Sequence, residues 1–438
     1  MHKNGAKALL TRRQLFAAGA AVGAATLYAP YVKAQSKARI RLMNTETAIP
    51  NVEAFKEIAA AYNKASGVEL IVDNVEVEDS LTKLSASMRS GNPYDMSVLG
   101  FIGDVLLLAD QDFLVPVDDL VAKYEWGPRI LFPYKGHTWW YPYDYNFCVT
   151  WYRKDLYAKS GLKVPTNRNE FLANAEKLNS DSMNGCMYPT GNTSATQWMT
   201  SGFFFAEGVN FLDDDLKVVL DQGDNKSKAV ETLDYFNKLY QFMPAGMSQA
   251  AWAQALGQFA NQQVAHAPYS ARMIDNLAAN APDLADQVGL FPYYSSSGDT
   301  ASVGFGYDGF VILNTPQAEE SRKFMAWFAD NMYIRWLQAA PLAMQPARLD
   351  VYEDKRWLEI PMIQKYKGVM DELRAMIGKD SSVQITSLDT QGKEPNIQAA
   401  KIYGSRIYNE MLQSVTLKQR SSAEAVDVAA QQMRKLIG

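Results

Sequence analysis

Two aspartates sit inside aromatic runs: Asp144 in HTWWYPYDYNF (residues 137–147) and Asp308 in SVGFGYDGFVIL (residues 302–313). Two carboxyls that meet in a cleft, one protonated and one ionised, are the acid and base of glycoside hydrolysis. The same residue types serve a second chemistry. Rings cover the flat C–H faces of a sugar or polyol, and carboxylates or amides take bidentate hydrogen bonds from its hydroxyl edges. In an extended WYPYDYNF, successive side chains point to opposite sides, so Tyr143, Tyr145 and Phe147 cannot share a face with Asp144 and Asn146. Asp144 and Asn146 are therefore expected to face a cleft, with the tyrosines divided between core and rim.

Other chemistries lack material. The histidines are His2, His137 and His266, too few for a histidine metal site or a Ser-His-Asp arrangement once a leader takes His2. No nucleotide P-loop, HExxH run or EF-hand loop occurs, and neither metal nor cofactor is expected. GFGYDG, Gly304 to Gly309, fits G-x-G-x-x-G on paper. That fingerprint needs a strand before it and a helix after it; here the loop SSSGDTAS precedes and the strand-like FVILN follows. A bent backbone crossing between two units explains these glycines better. Cys148 and Cys186 read as buried, inert thiols, with a disulfide between them left open.

The chain opens with Lys3, Lys7, Arg12 and Arg13, runs through the uncharged LFAAGAAVGAATLYAP and reaches Val32-Lys33-Ala34. This is the pattern of a cleaved secretory signal over residues 1–34, and TRRQLF resembles a twin-arginine export signal, with general secretion as the alternative route. Leu15 to Pro30 is shorter than the roughly 20 apolar residues of a membrane span. The leader carries five basic residues and no acidic ones, so its removal takes the formal charge from −5 to −10. That charge argues against nucleic acid or an anionic membrane surface as a partner. With no cysteine near the cleavage point to carry a lipid, a soluble periplasmic protein is expected.

A mature chain of about 400 residues exceeds one hydrophobic core, so two lobes are expected. ARIRLMNT reads as a strand, and NVEAFKEIAAAYNKASG as a helix with Phe55, Ile58, Ala59 and Tyr62 on one face and Gly67 as its stop. VELIVDNVEV, DMSVLG, FCVTWY and FVILN read as further strands. SLTKLSASMRSG, NEFLANAEKLN and KAVETLDYFNKLYQFM read as helices, and Ser421 and Glu424 have capping-box spacing before a last helix. Strands alternating with helices imply α/β architecture with mainly parallel sheets.

The run YRKDLYAKSGLKVPTNRNEFLANAEKL resembles a stretch of the extracellular solute-binding proteins of ABC importers, the maltose-binding-like family 1. Other blocks fall in the family's order: AYNKASGVELIVDNVEVEDSLTKLSASMRSGNPYDMSVL, FLVPVDDL, GQFANQQVAHAPYSAR, SVGFGYDGFVIL and PLAMQPARLDVYED. The resemblance covers nearly the whole mature chain. It implies the two-lobe periplasmic binding protein fold of type II, with residues 35–143 plus 306–338 in lobe I and 144–305 plus 339–438 in lobe II. Solute binding in the cleft closes the lobes by a hinge, and the membrane permease recognises the closed form. HTWWYPYDYNF is then the first crossover.

Carried over residue by residue, the resemblance implies cleft positions at Glu46, Phe101, Asp104, Asp144, Tyr145, Asn146 and Trp198, and at Tyr269, Arg272, Phe305, Tyr307, Asp308 and Arg348. Tyr269 departs from the pattern, since it stands three residues before Arg272 where a tryptophan is usual. The implied function is a monomeric periplasmic receptor that delivers a carbohydrate or polyol to an inner-membrane ABC permease, without catalysis. Two alternatives stay open. One is a receptor for a polyamine, suited to Asp104, Asp144 and Asp308, or for an organic acid, suited to Arg272 and Arg348. The other is an exported carbohydrate-active enzyme using the paired aspartates.

Overall fold

The computed structural model describes residues 38–377 and 381–438. The expected leader, with its twin arginines, lies outside the described residues. Strand β1 (Arg39–Asn44) leads into the helix Ile49–Ser66, which buries Asn51, Ala54, Phe55, Ile58 and Tyr62 along one stripe, the spacing of an amphipathic helix. The Phe55 ring lies 4.4 Å from that of Trp336, and burying a side chain of this size contributes roughly 1.5–3 kcal/mol. The helix stops at Gly67, whose φ of 75° is left-handed and whose N–H donates to the Asn63 carbonyl; a β-carbon there would be strained.

Next in the chain come β2 (Glu69–Asn74), β3 (Met96–Leu99) and β4 (Tyr141–Tyr145). They are followed by β5 (Val149–Arg153), β6 (His266–Tyr269), β7 (Val288–Phe291), β8 (Tyr293–Tyr294) and β9 (Ala301–Gly304). The last strands are β10 (Tyr307–Ile312), β11 (Gln345–Pro346) and β12 (Val383–Thr386). A six-stranded sheet in the order β11-β4-β10-β3-β1-β2 forms lobe I, while β6-β5-β7 and β12-β9-β8 form two smaller sheets of lobe II.

The sheets correct the expectation of mainly parallel pairing. Among the described strands, parallel pairing is confined to β1–β2, β1–β3 and β9–β12, and the other strand pairs are antiparallel. The reason is topological. Strand β4 carries the chain out of lobe I and β10 carries it back beside β4, so the two must run in opposite directions. Gln345–Pro346 pairs with β4, so the first sheet continues beyond the 338/339 division expected from the sequence. Asp144 and Tyr145 likewise lie within β4, past the expected break at 143/144.

Two of the passages between the sheets, at Asn146–Cys148 and at Phe305–Gly306, pair with each other. The Asn146 N–H donates to the Gly306 carbonyl at 2.8 Å, and Cys148 and Gly304 exchange hydrogen bonds of 2.7 and 2.9 Å. Most rings of the opening aromatic stretch are core: Trp140, Tyr141 and Tyr143 are fully buried. Cys148 and Cys186 are buried and unpaired. His266 donates its Nδ1–H to the Gly185 carbonyl at 2.6 Å and accepts the Tyr157 hydroxyl on Nε2 at 2.7 Å, and burial pushes its pKa down to about 4.

Toward the C-terminus, the helix Ile397–Ser405 packs on the helix Ile102–Asp110 of lobe I, and the final helix Ser422–Ile437 packs on the helix Gly223–Tyr240 of lobe II. Ser421 caps that last helix by accepting the Glu424 N–H at 3.3 Å, which satisfies one orphan donor of its first turn.

Candidate functional site: a cleft over the paired crossings

The crossings set the floor. Asp144 is 1% exposed, and its Oδ1 accepts the main-chain N–H of Asp308 at 2.9 Å. Asp308 turns its own carboxyl outward, where Oδ2 accepts the Asn146 Nδ2–H at 3.4 Å. Gly100 makes room for it, since a β-carbon there would lie 2.7 Å from Asp308 Oδ1. Burial and nearby carboxylates raise both acids. Asp308 is pushed up to about 7 by burial and Glu46, against Arg272 and the Asn146 amide, and Asp144 rises well above the usual carboxylate range through burial, Asp308 and Glu46.

At one end of this floor, Arg272 opens the helix Arg272–Asn280 directly after β6. It reaches across to lobe I, donating from Nη2 to Glu46 Oε2 at 2.7 Å and from Nη1 to Asn51 Oδ1 at 3.4 Å. Burial works against its charge, but Glu46, Tyr269, Asp275 and Asp308 together more than offset this and the guanidinium stays ionised. Tyr269, Trp198 and Trp252 form a ring cluster beside it, with Trp198 5.8 Å from Tyr269 and 5.4 Å from Trp252. The chain beneath is Gly306, where a β-carbon would lie 2.5 Å from both Trp198 Nε1 and the Asn146 carbonyl.

At the other end, the Phe101 ring lies 5.0 Å from that of Tyr403, tilted by 36°. Asp104 stands in the first turn of the helix Ile102–Asp110, and burial with Asp389 and Glu78 pushes its pKa up to about 7 against the pull of Arg406. Arg406 donates to Gln197 Oε1 at 2.6 Å and to Glu78 Oε2 at 3.3 Å. Glu78 is a hub. From lobe I it accepts the Ser194 N–H at 3.0 Å, the Ser194 hydroxyl and the Trp252 indole N–H at 3.3 Å.

The structure therefore brings together Glu46, Phe101, Asp104, Asn146, Trp198, Tyr269, Arg272 and Asp308, with Asp144 beneath them as a buried support. Tyr307 is also buried beneath, and its hydroxyl donates to Asp389 at 3.4 Å. Tyr145 and Phe305 are not in the cluster. Alternation turns Tyr145 and Phe147 to the reverse face, where Tyr145, Phe147 and Phe305 stack at 5.5 and 5.9 Å. There they line a separate cavity of about 980 Å³ with Val209, Leu212 and Gln384. Arg348 is also elsewhere. Its guanidinium lies 3.6 Å over the Tyr124 ring and 4.7 Å over that of Tyr333, and it donates to the Ala329 carbonyl and to Asp350.

Glu78, Gln197, Trp252, Tyr403 and Arg406 were not singled out from the sequence. Trp252 carried a usable signal, a tryptophan at the start of an apolar helix just before GQFANQQ. Arg406 carried none in its type, only an unusual left-handed φ of 62° that the structure reveals. Chemically, the cleft offers aromatic faces, carboxylates, an amide and two arginines drawn from both lobes. Asp144 lies under the floor with its carboxyl on a main-chain N–H, out of reach of a bond held in the cleft.

The family described as bacterial extracellular solute-binding protein matches residues 48–333. A protein of Escherichia coli (strain K12) named as an ABC transporter periplasmic-binding protein, YcjN, is 22% identical over 306 residues, 66% of this chain and 64% of that protein. The chain thus spans about 64% of the length of this curated relative. Among solved structures, a solute-binding protein of Thermotoga lettingae bound with alpha-D-tagatose aligns with a TM-score of 0.75 at 18% identity, covering 92% of this chain and 100% of that one. One from Agrobacterium radiobacter K84 in complex with ribitol aligns at 0.72 and 20% identity, covering 91% and 98%. Maltose-bound MalE3 of T. maritima aligns at 0.74 and 15%, covering 91% and 100%. These likenesses establish the two-lobe fold.

Proposed function

The chain belongs to the bacterial extracellular solute-binding proteins, and from that premise we propose that it captures a sugar or sugar-derived solute between its lobes and delivers it to an ABC permease. It works in the periplasm as a monomer. The observation that carries this is the Glu46–Arg272 ion pair across the cleft, flanked by Trp198, Tyr269 and Asp308. A solute seated there touches both lobes at once, so its binding energy favours the closed form over the open one. Mixed charge with aromatic faces suits a neutral polyhydroxylated solute, which needs both donors and acceptors.

Solute-binding proteins of this family bind rather than convert, and the burial of Asp144 supports the same for this chain. A glycosidase acid must reach the leaving oxygen, whereas Asp144 holds the backbone of Asp308. A cationic solute is the second reading, favoured by the excess of carboxylates (Glu46, Glu78, Asp104, Asp308) over arginines (Arg272, Arg406) around the cleft.

Thermal unfolding of residues 35–438 against sugars, polyols, uronic acids, polyamines and amino acids tests the choice. A true ligand at 100 times its dissociation constant adds about 2.7 kcal/mol of stability. A rise in melting temperature confined to carbohydrates supports the reading. A rise with polyamines alone replaces it with the second, and product formed from any bound sugar ends the binding-only account.

A further inference from the structure

Resting on the carbohydrate reading above, we propose that this cleft is stoppered at both ends by ion pairs and takes one sugar ring, or an open-chain polyol of comparable length, rather than an oligosaccharide. Its floor is short: Asn146, Gly306 and Asp308 on the paired crossings. One end is closed by Glu46 and Arg272 at 2.7 Å, braced by Asn51. The other is closed by Glu78, which spans from lobe I to Ser194, Trp252 and Arg406. A longer chain has to displace one of these groups, and each already spends its charge or its donors on a partner.

The interior between the stoppers is polar and unsatisfied. Trp198 Nε1, Asn146 Oδ1 and the Tyr403 hydroxyl are buried with no hydrogen-bond partner among the described residues, although buried polar groups are nearly always paired. Trp198 Nε1 and the Asn146 main chain both abut Gly306. Tyr403 stands opposite on the Phe101 side, joined to the tryptophan's helix by the Gln197 amide donating to the Tyr403 carbonyl at 2.9 Å. A donor, an acceptor and a hydroxyl, set between the Phe101–Tyr403 and Trp198–Tyr269 ring pairs, match the edge groups of a single polyhydroxylated unit.

The test is calorimetric titration of the mature protein with two ladders, glucose–maltose–maltotriose and xylose–xylobiose–xylotriose, together with ribitol and mannitol. The expected result is binding by a single unit or a polyol, with the corresponding disaccharide weaker by about 100-fold, equivalent to about 2.7 kcal/mol. A disaccharide or trisaccharide that binds as tightly as its unit, or more tightly, overturns the size limit while leaving the carbohydrate reading intact. No binding by any of these probes, with a polyamine or amino acid raising the melting temperature instead, overturns both. Glu46→Ser and Glu78→Ser then locate the limit. Provided each melts cooperatively, at least one should narrow the unit-to-disaccharide ratio about tenfold; an unchanged ratio in both removes the stoppers as its cause.

Discussion

Asp308 presents its carboxyl to the cleft, and Asp144 holds the main chain beneath it; the two roles call for different tests. Burial and Glu46 raise Asp308 to about 7. A carboxyl that holds its proton more tightly folded than unfolded contributes stability that is fully present below the ordinary carboxylate range and is lost as pH rises through about 7. The melting temperature of the ligand-free protein should therefore fall between pH about 5 and about 8, and Asp308→Asn should flatten that slope. Asp104 also titrates near 7, so adding Asp104→Asn should flatten it further; an equal slope in the double variant would assign the titration elsewhere. Asp144 is likewise raised well above the usual carboxylate range and serves as an acceptor. Asn keeps that acceptor and Ala does not, so urea unfolding should show Asp144→Asn within about 1 kcal/mol of the parent and Asp144→Ala losing roughly 1–3 kcal/mol. A folded Asp144→Asn protein that no longer binds solute would put this residue in contact with it.

The crossing segments and the helices facing them behave differently toward added atoms, which makes them separable by glycine substitution. Gly306 has Trp198 Nε1 and the Asn146 carbonyl 2.5 Å from where a β-carbon would go, so Gly306→Ala should cost about 1–3 kcal/mol through overpacking. Gly257 sits within the helix Trp252–Ala260 with nothing within 4 Å of such a carbon, and Gly257→Ala should stabilise by about 0.8–1 kcal/mol from helix propensity. Equal and small effects at both positions would mean that the crossings are looser than drawn. Legibility in the sequence followed the same division between local and non-local forces. The stripe of Phe55, Ile58 and Tyr62, the stop at Gly67, and the cap at Ser421 are written within a few residues and could be read. β8 and β11 are two residues long, too short for any alternation, and exist only because a distant strand pairs with them. The antiparallel run of β10 beside β4 is likewise a property of the return path, invisible to a pattern of strands and helices. Glu78 and Arg406 meet across 328 positions of sequence. Arg348, expected in the cleft through family position, is captured by Asp350 two residues away and by the Tyr124 and Tyr333 rings, a local trap that residue type alone does not disclose.

At the scale of the molecule, the lobes meet through a few polar ties: Glu46 to Arg272, Glu78 to Ser194, Trp252 and Arg406, and Asp275 to the Ala343 N–H at 3.0 Å. Closing each tie gains little net, because its groups give up water to make it, so none of them alone holds the cleft shut, whereas a solute that parts a closed tie leaves a buried charge unpaired and costs more. Their sum is small enough that open and closed forms stay within reach of each other, and a solute needs only a modest preference for the closed form to shift the population. Replacing Glu46 and Glu78 together by alanine removes the ties at both ends while leaving the paired crossings, and hence the hinge, in place. Small-angle scattering of the ligand-free double variant should then give a larger radius of gyration than the parent, and raising the salt should move the parent in the same direction, because exposed charges are screened over about 8–10 Å at physiological ionic strength. Identical radii in the two proteins would show that these ties form only after solute has drawn the lobes together. In that case the carboxylates of Glu46 and Glu78 act as latches on a closed complex rather than as contacts that set the resting balance.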